Sequence, residues 1–267
     1  MSVLAEIVAT TRDDLHRRQQ QQPEQLLRER ATSRLQAQAP IDVAARLRGA
    51  TDVAVIAEIK RRSPSAGMLA DIPSAAAAAL EYQSGGASMV SVLTEPHWFA
   101  GSLADLEDVA AGVEIPALRK DFIVDGYQVI EACAAGADAV LLIVAALSDE
   151  QLQSLLAEVT AWQMTALVEV HDEAQARRAA AAGAEVIGVN ARNLASLDVD
   201  TDTFARVVSH LPAKAVKVAE SGLRTPADVA AAVRAGADAV LIGQALVQAA
   251  DPAATITLMK EAARDAR

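Results

Sequence analysis

Eight apolar segments recur along this chain, and the residues that close them include most of its unusual polar and glycine clusters. Segment 53–59 closes on Glu58 and Lys60, 88–93 on Thr94 and Glu95, and 115–118 on Arg119, Lys120 and Asp121. Segment 138–144 stays apolar to its end, while 165–170 carries Glu169. Segment 185–189 leads into Asn190, Arg192 and Asn193, 216–219 into Glu220, Ser221 and Gly222, and 238–242 into Gly243 and Gln244. Eight short buried strands with helices between them predict an α/β fold, a (β/α)8 (TIM) barrel, whose active site is built from the loops that follow the strands. The polar clusters then converge on one face of one sheet, as an enzyme requires.

A weak internal repeat supports closure. Helix, Gly-Ala and apolar strand follow one another at Gly86-Ala87, Gly136-Ala137, Gly183-Ala184 and Gly236-Ala237. That period is about two strand–helix units, and each glycine follows an amphipathic run, where it serves to end a helix. A doubly wound open sheet also alternates strands and helices, but eight units without a dinucleotide glycine fingerprint favour the barrel. Residues 1–48 stand apart as an N-terminal helical extension to a barrel of residues 49–267. Leu4, Ile7, Val8 and Leu15 have helical spacing, and Pro23 opens a second helix with Leu26, Leu27 and Leu35 on one side. These helices could cover either end of the barrel.

The net charge of −11 argues against a nucleic-acid partner, which needs a basic face. It suits an enzyme that takes a small anion into a local positive pocket. No stretch reaches the roughly 20 apolar residues of a membrane span, and the N-terminus does not read as a signal peptide. The single cysteine, Cys133, excludes an internal disulfide and reads as a small buried helical residue. A cytoplasmic location is expected. No HExxH, CxxC or paired-histidine spacing occurs, so neither a metal nor a nucleotide cofactor is expected.

The chemistry concentrates at the strand ends. Glu58 and Lys60 are two apart on a strand and so share a side of the sheet; they point into the barrel mouth if functional, or form a structural ion pair. Ser63, with Pro64, Ser65 and Gly67, makes a turn rich in donors suited to an anion. Lys120 is expected just past the third strand; the bland alternative is a pair with the adjacent Asp121, which contributes little when exposed. Near other charges and under an apolar lid, such a lysine can have a lowered pKa and act as a general acid or form a Schiff base. Glu169, late in an apolar strand, needs a partner or a role because burying a lone charge is unfavourable; His171 reads as a loop histidine. Asn190 and Asn193 are the only asparagines in the chain and flank Arg192. Glu220, Ser221 and Gly222 close the seventh strand. Gly243 and Gln244 open a short helix whose backbone N–H groups could hold phosphate. Trp98, Phe99 and Phe122 follow the second and third strands as a candidate wall for a flat ring.

Taken together, EIKRRSPS, LRKDFIV, LVEVHDE, GVNARNL, ESGL and LIG-x-xL make the chain resemble the indole-3-glycerol phosphate synthase family over nearly its whole length. The resemblance implies closure of 1-(2-carboxyphenylamino)-1-deoxyribulose 5-phosphate to indole-3-glycerol phosphate, with loss of carbon dioxide and water. It further implies Lys120 as the acid, Glu169 as a base or polarising group, Lys60 on phosphate or substrate, and Glu58 orienting a lysine. Asn190, Arg192, Glu220 and Ser221 complete the pocket. Phe99, Phe122, Leu141 and Leu194 hold the ring, and Gly222, Gly243 and Gln244 give backbone donors to phosphate. Many members carry serine where Gln244 stands, a departure that bears on side-chain contacts alone. Two alternatives stay open: another phosphate-binding barrel enzyme (a Schiff-base aldolase or a sugar-phosphate isomerase), or a noncatalytic phosphate-ligand barrel. The N-terminal helices could dock a neighbouring pathway enzyme, which the sequence does not show.

Overall fold

Alternate residues along each strand face opposite sides of the sheet, and here both sides are buried. In the computed structural model, which describes residues 2–194 and 196–266, eight strands form one sheet. They are β1 (Ala54–Ile59), β2 (Met89–Leu93), β3 (Ala117–Lys120), β4 (Ala139–Ile143), β5 (Thr165–Val170), β6 (Val186–Asn190), β7 (Val216–Glu220) and β8 (Ala239–Ile242). All neighbours pair in parallel, and β1 bonds both β2 and β8, so the sheet closes into a barrel. One residue set, including Ile56, Met89, Leu118, Leu141, Leu167, Val218 and Leu241, fills the interior. The alternate set, including Val55, Val90, Val140, Val168, Ile187 and Val240, packs outward beneath the helices. Burying such a side chain contributes roughly 1.5–3 kcal/mol, so a strand slipped by one residue would put charged residues into that outer layer.

Between the strands run α4 (Ala75–Ser84), α5 (Leu103–Gly112), α6 (Gly126–Ala134), α7 (Asp149–Ala161), α8 (Glu173–Ala181), α9 (Thr203–Val207) and α10 (Pro226–Arg234). The single turn α11 (Gln244–Val247) and α12 (Pro252–Arg264) follow β8. Ser74, Ser102, Asp125, Ser148, Asp172, Thr225 and Asp251 each cap a helix N-terminus through the side chain, satisfying N–H groups that the helix cannot. At the other ends, Gly86, Gly136, Gly183 and Gly236 adopt positive φ, as the Gly-Ala repeat implies. The residue after two of those pairs holds the end of the barrel opposite the site. Asp138 accepts from the backbone N–H of Ile41 and Ala117, both at 2.9 Å, and Asp238 accepts from that of Lys217 at 2.9 Å.

The N-terminal segment covers both ends of the barrel. Helix α1 (Val3–Gln21) lies over the mouth, tied down by Arg18 to Glu131 at 2.7 Å and by Asp14 to His97 at 2.7 Å. Helix α2 (Glu24–Ala37) packs on α6 through Leu27 and Ala31, and α3 (Val43–Arg48) plugs the opposite end with Val43, Ala44 and Leu47. Leu26 departs from the expected stripe: it is 52% exposed, because the buried line runs through Leu27 and Ala31, four residues apart. Among the described residues no helix is long and apolar enough to cross a membrane.

Candidate active site

Strand parity brings the charges together. Inward positions alternate through Ala54 and Ile56 to Glu58, from Leu118 to Lys120, from Leu167 to Glu169, and from Val216 and Val218 to Glu220. The interior is therefore apolar toward its closed end and charged at its mouth. Lys120 Nζ lies 3.2 Å from Glu220 Oε2, 3.3 Å from Glu169 Oε2 and 3.9 Å from Glu58 Oε2. Lys60 Nζ meets the other oxygen of Glu58 at 2.5 Å.

These contacts overturn one expectation. Burial alone would lower the pKa of Lys120, but the charges of Glu220, Glu169 and Glu58 outweigh it and hold the pKa above the ordinary lysine value. The ammonium stays protonated, contrary to the lowered pKa anticipated for it. Nor is Asp121 its partner: Asp121 turns outward to Arg119 at 2.9 Å and Thr94 at 2.6 Å. The carboxylates divide. Burial opposes ionisation of Glu58, yet Lys60 and then Lys120 keep its pKa below the usual range. Glu169 is likewise buried but lowered, by Lys120, then His171 and the Asn190 amide. Glu220 goes the other way. Burial first, and then the charge of Glu169, push it up to about 8 against the pull of Lys120. Its Oε1 is buried and makes no hydrogen bond among the described residues, so nothing there favours the anion on that side. Two neighbouring carboxyls with pKa values driven apart are the pattern of an acid–base site.

The cavity around Lys120 is lined by Glu58, Lys60, Ser63, Phe99, Lys120, Phe122, Leu141, Glu169, Asn190, Arg192, Leu194, Glu220, Ser221, Gly222, Gly243 and Gln244, so each residue given a catalytic, substrate or phosphate role above reaches it. Phe99 and Phe122 stack at a tilt with ring centroids 6.1 Å apart. Trp98 does not line the cavity; it packs beside the inner core instead. Glu95 fixes this loop, accepting from the backbone N–H of His97, Trp98 and Phe99 at 2.7 to 3.1 Å. Arg192 bonds Ser65 Oγ at 3.1 Å and the Leu197 carbonyl at 2.7 Å, while Asn190 Oδ1 accepts from its backbone N–H. Ser221 and Gly222 both have positive φ (67° and 78°), which turns the chain sharply away from β7. For serine that backbone is strained by about 1 kcal/mol or more, and such strain clusters at functional sites.

Some contributors were not foreseen. Val3, Leu4 and Ile7 of α1 close over the mouth, and Arg224 adds a second guanidinium near Arg192. Gly188 is the inward residue two before Asn190, and a Cβ there would overlap Glu220 Oε1. Inward parity from Asn190 could have flagged it. Gly243 plays the same part for Glu58, whose carboxylate would meet any Cβ at that position. The helix after Gly243 is only one turn, and the Gln244 side chain runs along it to Gln248 at 3.4 Å.

Comparison with known proteins points one way. A family model described as indole-3-glycerol phosphate synthase matches residues 4–259. An indole-3-glycerol phosphate synthase of Beutenbergia cavernae is 55% identical over 252 residues, covering 94% of this chain and 92% of that protein. One from Streptomyces griseus subsp. griseus is 55% identical over 256 residues, covering 96% and 94%. Among solved structures, the thiamine phosphate pyrophosphorylase of Pyrococcus furiosus superposes with a TM-score of 0.62 at 14% identity, over 84% of this chain and 99% of that one. At that identity the likeness speaks to the barrel fold alone.

Proposed function

The chain belongs to the indole-3-glycerol phosphate synthase family, and on that premise we propose that it closes 1-(2-carboxyphenylamino)-1-deoxyribulose 5-phosphate to indole-3-glycerol phosphate by proton transfer from Lys120. The aromatic carbon bearing the carboxylate attacks the ketone carbon, and the ketone oxygen takes a proton from Lys120 Nζ. Carbon dioxide leaves, and its bonding electrons restore the aromatic ring. The new hydroxyl then departs as water with a second proton, while Glu169 removes a proton from the ring CH2 to complete the indole. Two protons reach oxygen and one leaves carbon, so each turnover draws one proton from solvent. Glu220, which keeps a proton to about pH 8 and touches Lys120, is suited to resupply it.

The observation that carries this reading is the contact of Lys120 Nζ with Glu58, Glu169 and Glu220. With Glu58 and Glu169 ionised beside it and Glu220 in contact, Lys120 rests as an ammonium that can donate a proton, whereas imine formation starts from a free amine. The Schiff-base alternative therefore loses its starting species. In this reading Glu58 orients Lys60 and Lys120, and Asn190 and Ser221 hold the reacting groups. Ser63 and Arg192 bind the substrate, and Phe99, Phe122, Leu141 and Leu194 enclose its ring. Lys60, with backbone N–H groups of Gly222, Gly243 and Gln244, takes the phosphate. Residues 1–48 form the extension and 49–267 the catalytic barrel, acting in the cytoplasm on a small phosphorylated substrate. Borohydride added during turnover tests the chemistry: the protein mass stays unchanged if Lys120 only moves protons, and a reduced adduct on Lys120 would replace this reading with an imine mechanism.

A further inference from the structure

One histidine beside the acid–base cluster has no role in these steps. His171 follows β5 directly, and its side chain is only 12% exposed. Its backbone N–H and its Nδ1 both meet Gln175 Oε1, at 3.1 and 3.2 Å, while Gln175 Nε2 donates to Asp172 at 3.0 Å. The amide oxygen thus faces the ring, and because such an oxygen only accepts, Nδ1 carries a proton. The other nitrogen, Nε2, is buried and makes no well-formed hydrogen bond among the described residues. It faces Glu169 Oε1 at 3.4 Å. The second oxygen of the same carboxylate, Oε2, faces Lys120 Nζ at 3.3 Å. The two oxygens of Glu169 therefore have separate surroundings, one toward the lysine and one toward the histidine.

An unprotonated Nε2 opposite an ionised Oε1 would set two lone pairs against each other. One proton between them turns that repulsion into a charge-assisted hydrogen bond. We propose that His171 is a positioning residue: it shares one proton with Glu169 Oε1, fixes the rotation of the carboxylate, and leaves Oε2 as the oxygen that accepts the substrate proton. The inference rests on Glu169 being the base of the proposed reaction. The other groups around Glu169 are Lys120 from β3, Glu220 from β7 and the Asn190 amide from β6. Since His171 is one of the groups that favour the ionised form of Glu169, its removal lets that carboxylate protonate at higher pH.

The test uses His171→Ala and His171→Gln, each assayed for kcat and KM across pH, with Glu169→Gln alongside. A hydrogen bond to a charged group corresponds to about ten- to a hundredfold in rate, so His171→Ala should lose that much kcat with KM little changed. Its acid limb should move to higher pH. His171→Gln, whose amide can also donate to Oε1, should recover kcat to within about threefold of the parent. Equal losses in both variants, or a His171→Ala profile that overlays the parent, would overturn the inference while leaving Glu169 as the base. Near-parental kcat in Glu169→Gln would instead remove Glu169 from the mechanism, and this inference with it. If His171→Ala fails to fold, the acid limb and kcat of His171→Gln decide the matter: full loss despite a retained donor refutes the shared proton.

Discussion

Replacing Glu220 with glutamine isolates a single titration in the buried cluster. Glu220 is 2% exposed, its Oε1 lies against Gly188 without a donor, and burial followed by the charge of Glu169 holds its pKa at about 8. A glutamate in the unfolded chain titrates near 4.5. Between those values the folded protein binds a proton that the unfolded chain does not. The stability Glu220 contributes is thus complete below about pH 4.5 and is lost as pH rises through about 8. Glu58 and Glu169, both lowered, are ionised in either state across this window, and Lys120 is charged in either state, so they add little slope. At about 1.4 kcal/mol per pKa unit, the parent should lose roughly 2–4 kcal/mol relative to Glu220→Gln between pH 5 and pH 8. Urea unfolding of both proteins at several pH values measures this directly. A stability difference that stays constant to within about 0.5 kcal/mol over that range would refute the raised pKa, because linkage allows no other outcome for a buried group that titrates there.

Two further substitutions address geometry. Gly188→Ala should displace the Glu220 carboxylate, which a Cβ would overlap; since a flexible side-chain end can move, the expected result is near-parental stability with a loss of about 10²-fold in kcat, and parental kcat would show that the position of Glu220 is unimportant. Gln244→Ser should leave inhibition by inorganic phosphate within about twofold, because the donors assigned there are backbone N–H groups and the Gln244 side chain points to Gln248; a large loss would place that side chain on the phosphate.

The barrel was legible because a parallel sheet covered on both faces needs apolar runs, and those runs end where the polar mouth begins. The shared side of Glu58 and Lys60 followed from their spacing of two. The charge state of Lys120 was not legible. It depends on Glu169 and Glu220, which lie 49 and 100 residues further along the chain. Helix α1 could be drawn from its periodicity, but its place over the mouth depends on Arg18–Glu131 and Asp14–His97, pairs set by tertiary structure. Gly188 went unremarked because parity from Asn190 marks it only as an inward position, and what its missing side chain admits shows only once the carboxylate filling that space is known.

Lys120→Met removes the ammonium and keeps most of the aliphatic stem. The decisive measurement is the rise of indole fluorescence on mixing 1-(2-carboxyphenylamino)-1-deoxyribulose 5-phosphate with the parent protein and with this variant, with the fold checked by circular dichroism. The account predicts product from the parent and a rate lower by about 10²–10⁴-fold in folded Lys120→Met, the usual effect of losing a general acid. No indole product from the parent, or a folded variant within a few-fold of it, would contradict the claim that this barrel closes an indole ring with a proton from Lys120.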